Sequence, residues 1–195
     1  MTNDCSDLPI FPISAPAVFC DPDITPDLFT EVLQRLAEVV DIDHYQLDAP
    51  TPCRGLNVGE LRSHILGWLE FFAAALSDPV ATNPRPDPES FVLANNTKAS
   101  DIVLGALADI RTAIAADAAG GLVSMSSARM AGDGVLGMAL GEYIIHAWDL
   151  SSATGRSYSA PDSVVEPAHE FLAGMVAPES SMTALAIRAA AADGA

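Results

Sequence analysis

Apolar residues recur at helical spacing in four separate stretches of this chain, and each stretch meets a residue type that favours a helix boundary. Leu28, Val32, Leu36 and Val39 form the first stripe. Thr25-Pro26-Asp27 stands before it as an N-cap, a proline at the first helical position and an acidic first turn, so a helix is predicted to about Val40. Asn57-x-x-Glu60 then resembles a capping box, and Leu61, His64, Trp68 and Phe72 continue one stripe to about Leu76. A third helix is predicted over residues 101–117, with Ile102, Leu104, Leu107, Ile110 and Ile114 apolar, ending near Gly120-Gly121. The fourth runs over about 135–153, carries Leu136, Leu140, Ile144, Ala147 and Leu150, and stops at Thr154-Gly155.

Strand-like alternation is scarce, with Leu122-Val-Ser-Met-Ser the one short extended candidate. The pattern therefore predicts an all-α protein, an antiparallel four-helix bundle, with further helices over about 161–175 and 182–192. Residues 41–57 and 77–97, both containing prolines, read as long connections. Residues 1–24 read as a Pro-rich extension, since four prolines from Leu8 to Pro22 forbid a regular helix. Residues 25–195 form the one domain expected of a chain of 195 residues, its core at about 25–156. No internal repeat is visible.

Composition narrows the class of partner. The formal charge is −17, from 26 acidic residues against nine Lys and Arg, which sets a phosphate backbone aside and with it nucleic-acid binding. The apolar stretch 8–20 lacks a basic leader and is broken by Pro9, Pro12 and Pro16, so neither an export signal nor a membrane span is expected and the location is read as cytoplasmic. Cys5, Cys20 and Cys53 are odd in number and show no Cys-x-x-Cys spacing, so reduced thiols are expected.

The candidate chemistry lies on the second and fourth helices. Glu142 and His146 stand four apart, which puts a carboxylate and an imidazole on one helical face. His64, about eighty residues upstream and on an inward stripe, is the obvious third donor. Two imidazoles and one carboxylate suit zinc, nickel or iron and leave coordination positions open, unlike a structural zinc site closed by four protein ligands. A Glu-x-x-x-His pair arises readily by chance in an acidic chain, and an inward histidine is more often a hydrogen-bonded core residue, so the weight rests on the three together. Asp149, three residues past His146, is a candidate to orient that ring; the alternatives are pairing with Arg156 or capping a helix end. Trp68 and Trp148 read as core aromatics. Arg62 and Arg156 read as surface partners of acidic residues, with an anionic substrate as the alternative. Cys53 reads as packing at a helix entrance, since no histidine or base adjoins it in sequence, and His44 and His169 as solvent-facing or structural. No residue is assigned as a catalytic base.

Two separated segments carry a resemblance. Pro50-Thr-Pro-Cys53-Arg-Gly-Leu-Asn-Val58-Gly-Glu-Leu61-Arg-Ser-His64 with Trp68, and Glu142-Tyr-Ile-Ile-His146-Ala-Trp148-Asp149-Leu150 running on to Arg156, resemble the metal-binding N-terminal domain of mycothiol-dependent maleylpyruvate isomerases and their single-domain relatives. That family belongs to the DinB-like superfamily of four-helix bundles. Leu56 stands where the family usually has tryptophan. The resemblance implies a divalent metal, most often zinc, on His64, Glu142 and His146, and mycothiol as the thiol cosubstrate. A metal with an open position favours the thiolate of a bound thiol, which then attacks a small electrophile in transfer or isomerisation. Iron(II) on the same triad would suit oxygen chemistry, against which the resemblance argues.

Two classes stay open at this level. One is a metal- and thiol-dependent transferase or isomerase; the other is a metal-binding bundle without turnover, serving as a sensor, a storage module or an interaction module. An open approach to the triad favours the first, and a fourth protein ligand sealing the metal favours the second. A homodimer stays open as the assembly.

Overall fold

The structure, a computed structural model, describes residues 25–125 and 128–165. It contains four long helices, α1 (Pro26–Val40), α2 (Val58–Ser77), α3 (Ala99–Ala115) and α4 (Gly132–Thr154). A two-stranded hairpin, β1 (Leu122–Ser124) and β2 (Arg129–Ala131), lies before α4. The extension 1–24, the sixth predicted helix and most of the fifth fall outside the described residues.

Local chemistry places the helix ends. Thr25 accepts a hydrogen bond from the Leu28 amide and Pro26 fills the first turn, where a missing N–H costs nothing. The capping box opening α2 is complete: Asn57 Oδ1 accepts from the Glu60 amide and Glu60 Oε2 accepts from the Asn57 amide, both at 2.9 Å. Gly155, at φ +69°, ends α4 in the left-handed conformation that a residue without Cβ adopts freely. α4 begins at Gly132, earlier than the apolar pattern predicts, because Gly132 and Gly134 carry no apolar side chain to extend the stripe.

The helices bury one continuous core. Phe29, Val32, Leu33 and Leu36 of α1, Leu61, Ile65, Leu69 and Phe72 of α2, Val103, Leu107 and Ile110 of α3, and Leu136, Leu140, Ile144 and Leu150 of α4 all lie within it. Leu104 of α3, counted in the predicted stripe, turns outward and its neighbour Val103 is buried instead.

Neighbour relations differ from those of a simple antiparallel bundle. α1 packs against α3 and α4, and α2 packs against the same two, so the circular order is α1, α3, α2, α4. Asp41, just past α1, bonds Ser100 at the start of α3, whereas Arg156, just past α4, reaches the carbonyls that end α1. α1 is thus antiparallel to α3 and parallel to α4. The expectation of antiparallel neighbours throughout is corrected here, because the connection 41–57 crosses one end of the bundle to the diagonal position and the connection 78–98 runs back along its length, which tight hairpin loops would not do.

Both connections are held in place. The first folds back through the isolated bridge between Pro50 and Asn57, and a 3₁₀ turn at His44–Gln46 precedes it. In the second, a 3₁₀ turn at Pro88–Ser90 lies against Gly67 of α2, where an added Cβ would run into the Pro88 carbonyl oxygen and come within 2.9 Å of Phe91 Cβ. Gly67 is therefore a packing glycine. Among the described residues no helix is long and apolar enough to cross a membrane.

Candidate metal centre

α2 and α4 run antiparallel side by side, which brings the first turns of α2 to the last turns of α4. His64 thereby meets Glu142 and His146: one donor atom of each lies within 4.8 Å of the others. The two imidazoles stand edge to face with centroids 5.3 Å apart. His146 Nε2 is 3.0 Å from Glu142 Oε2, and His146 Nδ1 is 3.1 Å from Asp149 Oδ2. The ring is therefore gripped between two carboxylates, one on either nitrogen.

Burial grades across the cluster. The Asp149 side chain is 7 % exposed, His146 13 %, and Glu142 42 %, so the cluster is closed on the Asp149 side and open to solvent on the Glu142 side. His64 is half-buried at the margin of the core, less enclosed than its apolar stripe predicts.

The electrostatics follow from this arrangement. Burial pushes the His146 imidazolium down, but hydrogen bonds to Asp149 and Glu142, with their charges, outweigh it and lift the group to about 9. Burial raises the Glu142 carboxyl, yet the bond to His146 and the charges of both histidines bring it below its ordinary value. His64 moves down, through burial and repulsion from His146. Without a cation, a proton on His146 offsets one of the two carboxylate charges at neutral pH. A divalent ion offsets both, and its binding displaces that proton.

The donor set fits such an ion. Two imidazoles and a carboxylate are borderline ligands, and a carboxylate on Nδ1 sets the tautomer that leaves Nε2 free to coordinate. Of the sequence-based alternatives for Asp149, the contact with His146 is the one present. Arg156 does not pair with it: Nη1 donates to the Val39 carbonyl at 3.1 Å and Nη2 to the Asp41 carbonyl at 2.6 Å. Arg156 is thus occupied with the end of α1 and, among the described residues, pairs with no surface acid.

The other candidates separate from the triad. Arg62 points to a different face of α2 and lines a groove of about 570 Å³ with Asp41, Asp43, His44 and Lys98, which contains none of the three donors. Its Nε is buried with no hydrogen-bond partner among the described residues, while the charge of Asp41 acts on the same guanidinium. Trp68 stands 6.3 Å from His64, centroid to centroid, and it and Trp148 are half-buried against the core. His44 is exposed, and His169, Cys5 and Cys20 lie outside the described residues.

Cys53 is the residue that sequence reasoning missed. Its thiol joins His146 and Asp149 in a second group whose donor atoms lie within 4.8 Å of one another. Cys53 packs against the core as expected, and the fold brings to it the histidine and carboxylate that do not adjoin it in sequence, because the connection 50–57 lies at the N-terminal end of α2 where α4 finishes. That signal is tertiary: Pro50 and Asn57 bridge across the segment, and the proximity follows only once α2 and α4 are known to be antiparallel. Burial pushes the thiol up, and the charges of Asp149 and Glu142 add to the effect.

An all-α bundle of the DinB-like kind, with imidazole and carboxylate donors converging from two adjacent helices, defines a protein built to carry a candidate metal centre. The chain matches the mycothiol maleylpyruvate isomerase N-terminal domain family over residues 29–151, and it belongs to that family. No curated protein and no solved structure matches the chain. The matched span contains all of the first group of donors, and Cys53 and Asp149 as well.

Proposed function

We propose that the protein binds a divalent metal ion, zinc in the first place and nickel or iron(II) as the alternatives, through His64, Glu142 and His146, and uses it to activate a thiol of the mycothiol kind for transfer to, or isomerisation of, a small electrophile. The convergence of the three donors on facing helices, open on the Glu142 side, carries this reading. Membership of a mycothiol-related family supports the thiol. When bound, the metal supplies a Lewis acid that lowers the pKa of a coordinated thiol.

The chain's own residues prepare that chemistry. Asp149 holds the proton of His146 at Nδ1 and so keeps Nε2 available. Glu142, on an adjacent turn of the same helix, contributes the negative charge that favours a cation. Leu61, Ile65 and Ile144 pack the helices on which the donors stand and keep their spacing rigid. The exposed side of Glu142 is the approach for a thiol and its electrophile. The alternative, a metal-binding bundle without turnover that serves as sensor, store or interaction module, has the same donors and differs in the outcome of turnover assays.

Elemental analysis of protein purified without a metal-affinity tag tests the reading. About one equivalent of zinc or nickel is expected, lost in both His64→Ala and His146→Ala. Screening the loaded protein with low-molecular-weight thiols and electrophiles then separates the enzyme from the binding module. Absence of metal in the wild type after reconstitution would sink both.

A further inference from the structure

The two nitrogens of His146 face different surroundings. Nε2 looks toward Glu142 and Nδ1 toward Asp149. The Cys53 thiol belongs to the Asp149 side: it groups with His146 and Asp149, whereas His64 groups with His146 and Glu142. We propose that Cys53, His146 and Asp149 form a second metal-binding site, for a soft, thiophilic divalent cation such as cadmium, that shares the His146 ring with the first.

Ligand chemistry distinguishes the two. The first site offers nitrogen and oxygen donors, whereas the second contains a thiolate, the donor that soft cations prefer. Its parts are held in place by the fold. The Thr51 hydroxyl is within hydrogen-bond reach of the Cys53 carbonyl at 3.0 Å and the Leu56 carbonyl at 2.7 Å, which fixes the turn that presents the thiol. Asp149 is a buried carboxylate whose side chain meets His146. A thiolate and a carboxylate flanking one imidazole give a divalent cation two compensating charges and three donors.

The shared ring makes the sites alternatives. A neutral imidazole has one lone pair, with its proton on the opposite nitrogen. Metal on Nε2 leaves an Nδ1 proton donating to Asp149; metal on Nδ1 leaves an Nε2 proton donating to Glu142. The tautomer of His146 thus decides which side is competent, and loss of His64 removes the competitor without touching the second site.

Cadmium titration of the full chain, in a Cys5→Ser, Cys20→Ser background where Cys53 is the one thiol, tests this. His64→Ala in that background should bind one equivalent of cadmium with a thiolate-to-metal charge-transfer absorption in the ultraviolet. Adding Cys53→Ser should abolish the absorption and weaken binding at least tenfold, the least that loss of even an outer-shell partner typically costs. Cys53→Ala guards against a fault peculiar to serine, and circular dichroism shows that each variant is folded. Cadmium bound without the absorption, or no cadmium bound by a folded His64→Ala protein, overturns the proposal. The two readings fail separately: zinc on the wild type without the cadmium signature removes the second site alone, and the signature without zinc on the wild type removes the first alone.

Discussion

Asp149 is where a single side chain decides the behaviour of the cluster. Its carboxylate lies on Nδ1 of His146, and with Glu142 it keeps the imidazolium protonated up to about 9. Two effects then oppose one another in Asp149→Asn. Loss of the carboxylate removes the partner that orients the ring, which typically weakens metal affinity roughly 10–100-fold. It also lowers the pKa of His146, so less proton competition meets the metal at neutral pH. The full affinity loss is therefore expected above about pH 9, where both proteins carry a neutral imidazole, with a smaller difference at pH 7. Competition titrations with a chromogenic chelator at the two pH values check this; a merely structural role would give the same loss at both.

At the scale of the element, the end of α2 has a pH dependence of its own. Asp78 follows the helix, and its Oδ2 accepts hydrogen bonds from the Thr82 hydroxyl at 2.8 Å and the Asn83 amide at 2.9 Å. The turn they close contains Ala81 at φ +56°, a left-handed conformation unfavourable to a residue with a Cβ. These bonds hold the carboxyl down, from 3.8 to about 2. Because the folded pKa is depressed, the carboxylate contributes stability above the unfolded value of 3.8 and loses it as pH falls toward about 2. Asp78→Asn should be less stable than the wild type at neutral pH, with the gap closing between about pH 4 and pH 2. Denaturant melts across that range measure the gap, and one that stays constant would refute the assignment.

The same scale shows why some elements were legible and others were not. Thr25, the Asn57–Glu60 pair and Gly155 mark helix ends through contacts with their own backbone neighbours, so a local reading finds them. Arg129-Met130-Ala131 has no alternating pattern, and only pairing with Leu122–Ser124 makes it a strand. His64, Glu142 and His146 were legible because a four-residue spacing and an inward stripe are local facts. Cys53 was not, since its approach to His146 depends on how two distant helices lie against one another.

Across the whole molecule, a metal held as proposed by His64 on one helix and by Glu142 and His146 on another would join α2 to α4 as a cross-link present only in the folded state. Mass action then ties stability to metal: a free ion at about 100 times its dissociation constant adds roughly 2.7 kcal/mol. In a domain of this size that corresponds to a rise of roughly 5–10 °C in melting temperature, at about 2–4 °C per kcal/mol. Chelation of loaded wild-type protein should lower the melting temperature by that amount and leave His64→Ala unmoved. Equal responses in the two proteins would place the metal elsewhere.

The order of helices around the bundle also has a consequence for how the chain reaches its fold. α1 has as its neighbours α3 and α4, and α2 is the one helix that packs beside its immediate successor. A bundle of simple hairpins can nucleate on two consecutive helices joined by a short loop, but here α1 has no partner until the chain has come back from the far side of α2. Closing such long loops costs entropy before any contact repays it, and a high mean sequence separation of contacts slows folding. α1 is thus expected to dock only after α3 has come back across the bundle, and not as a hairpin with α2.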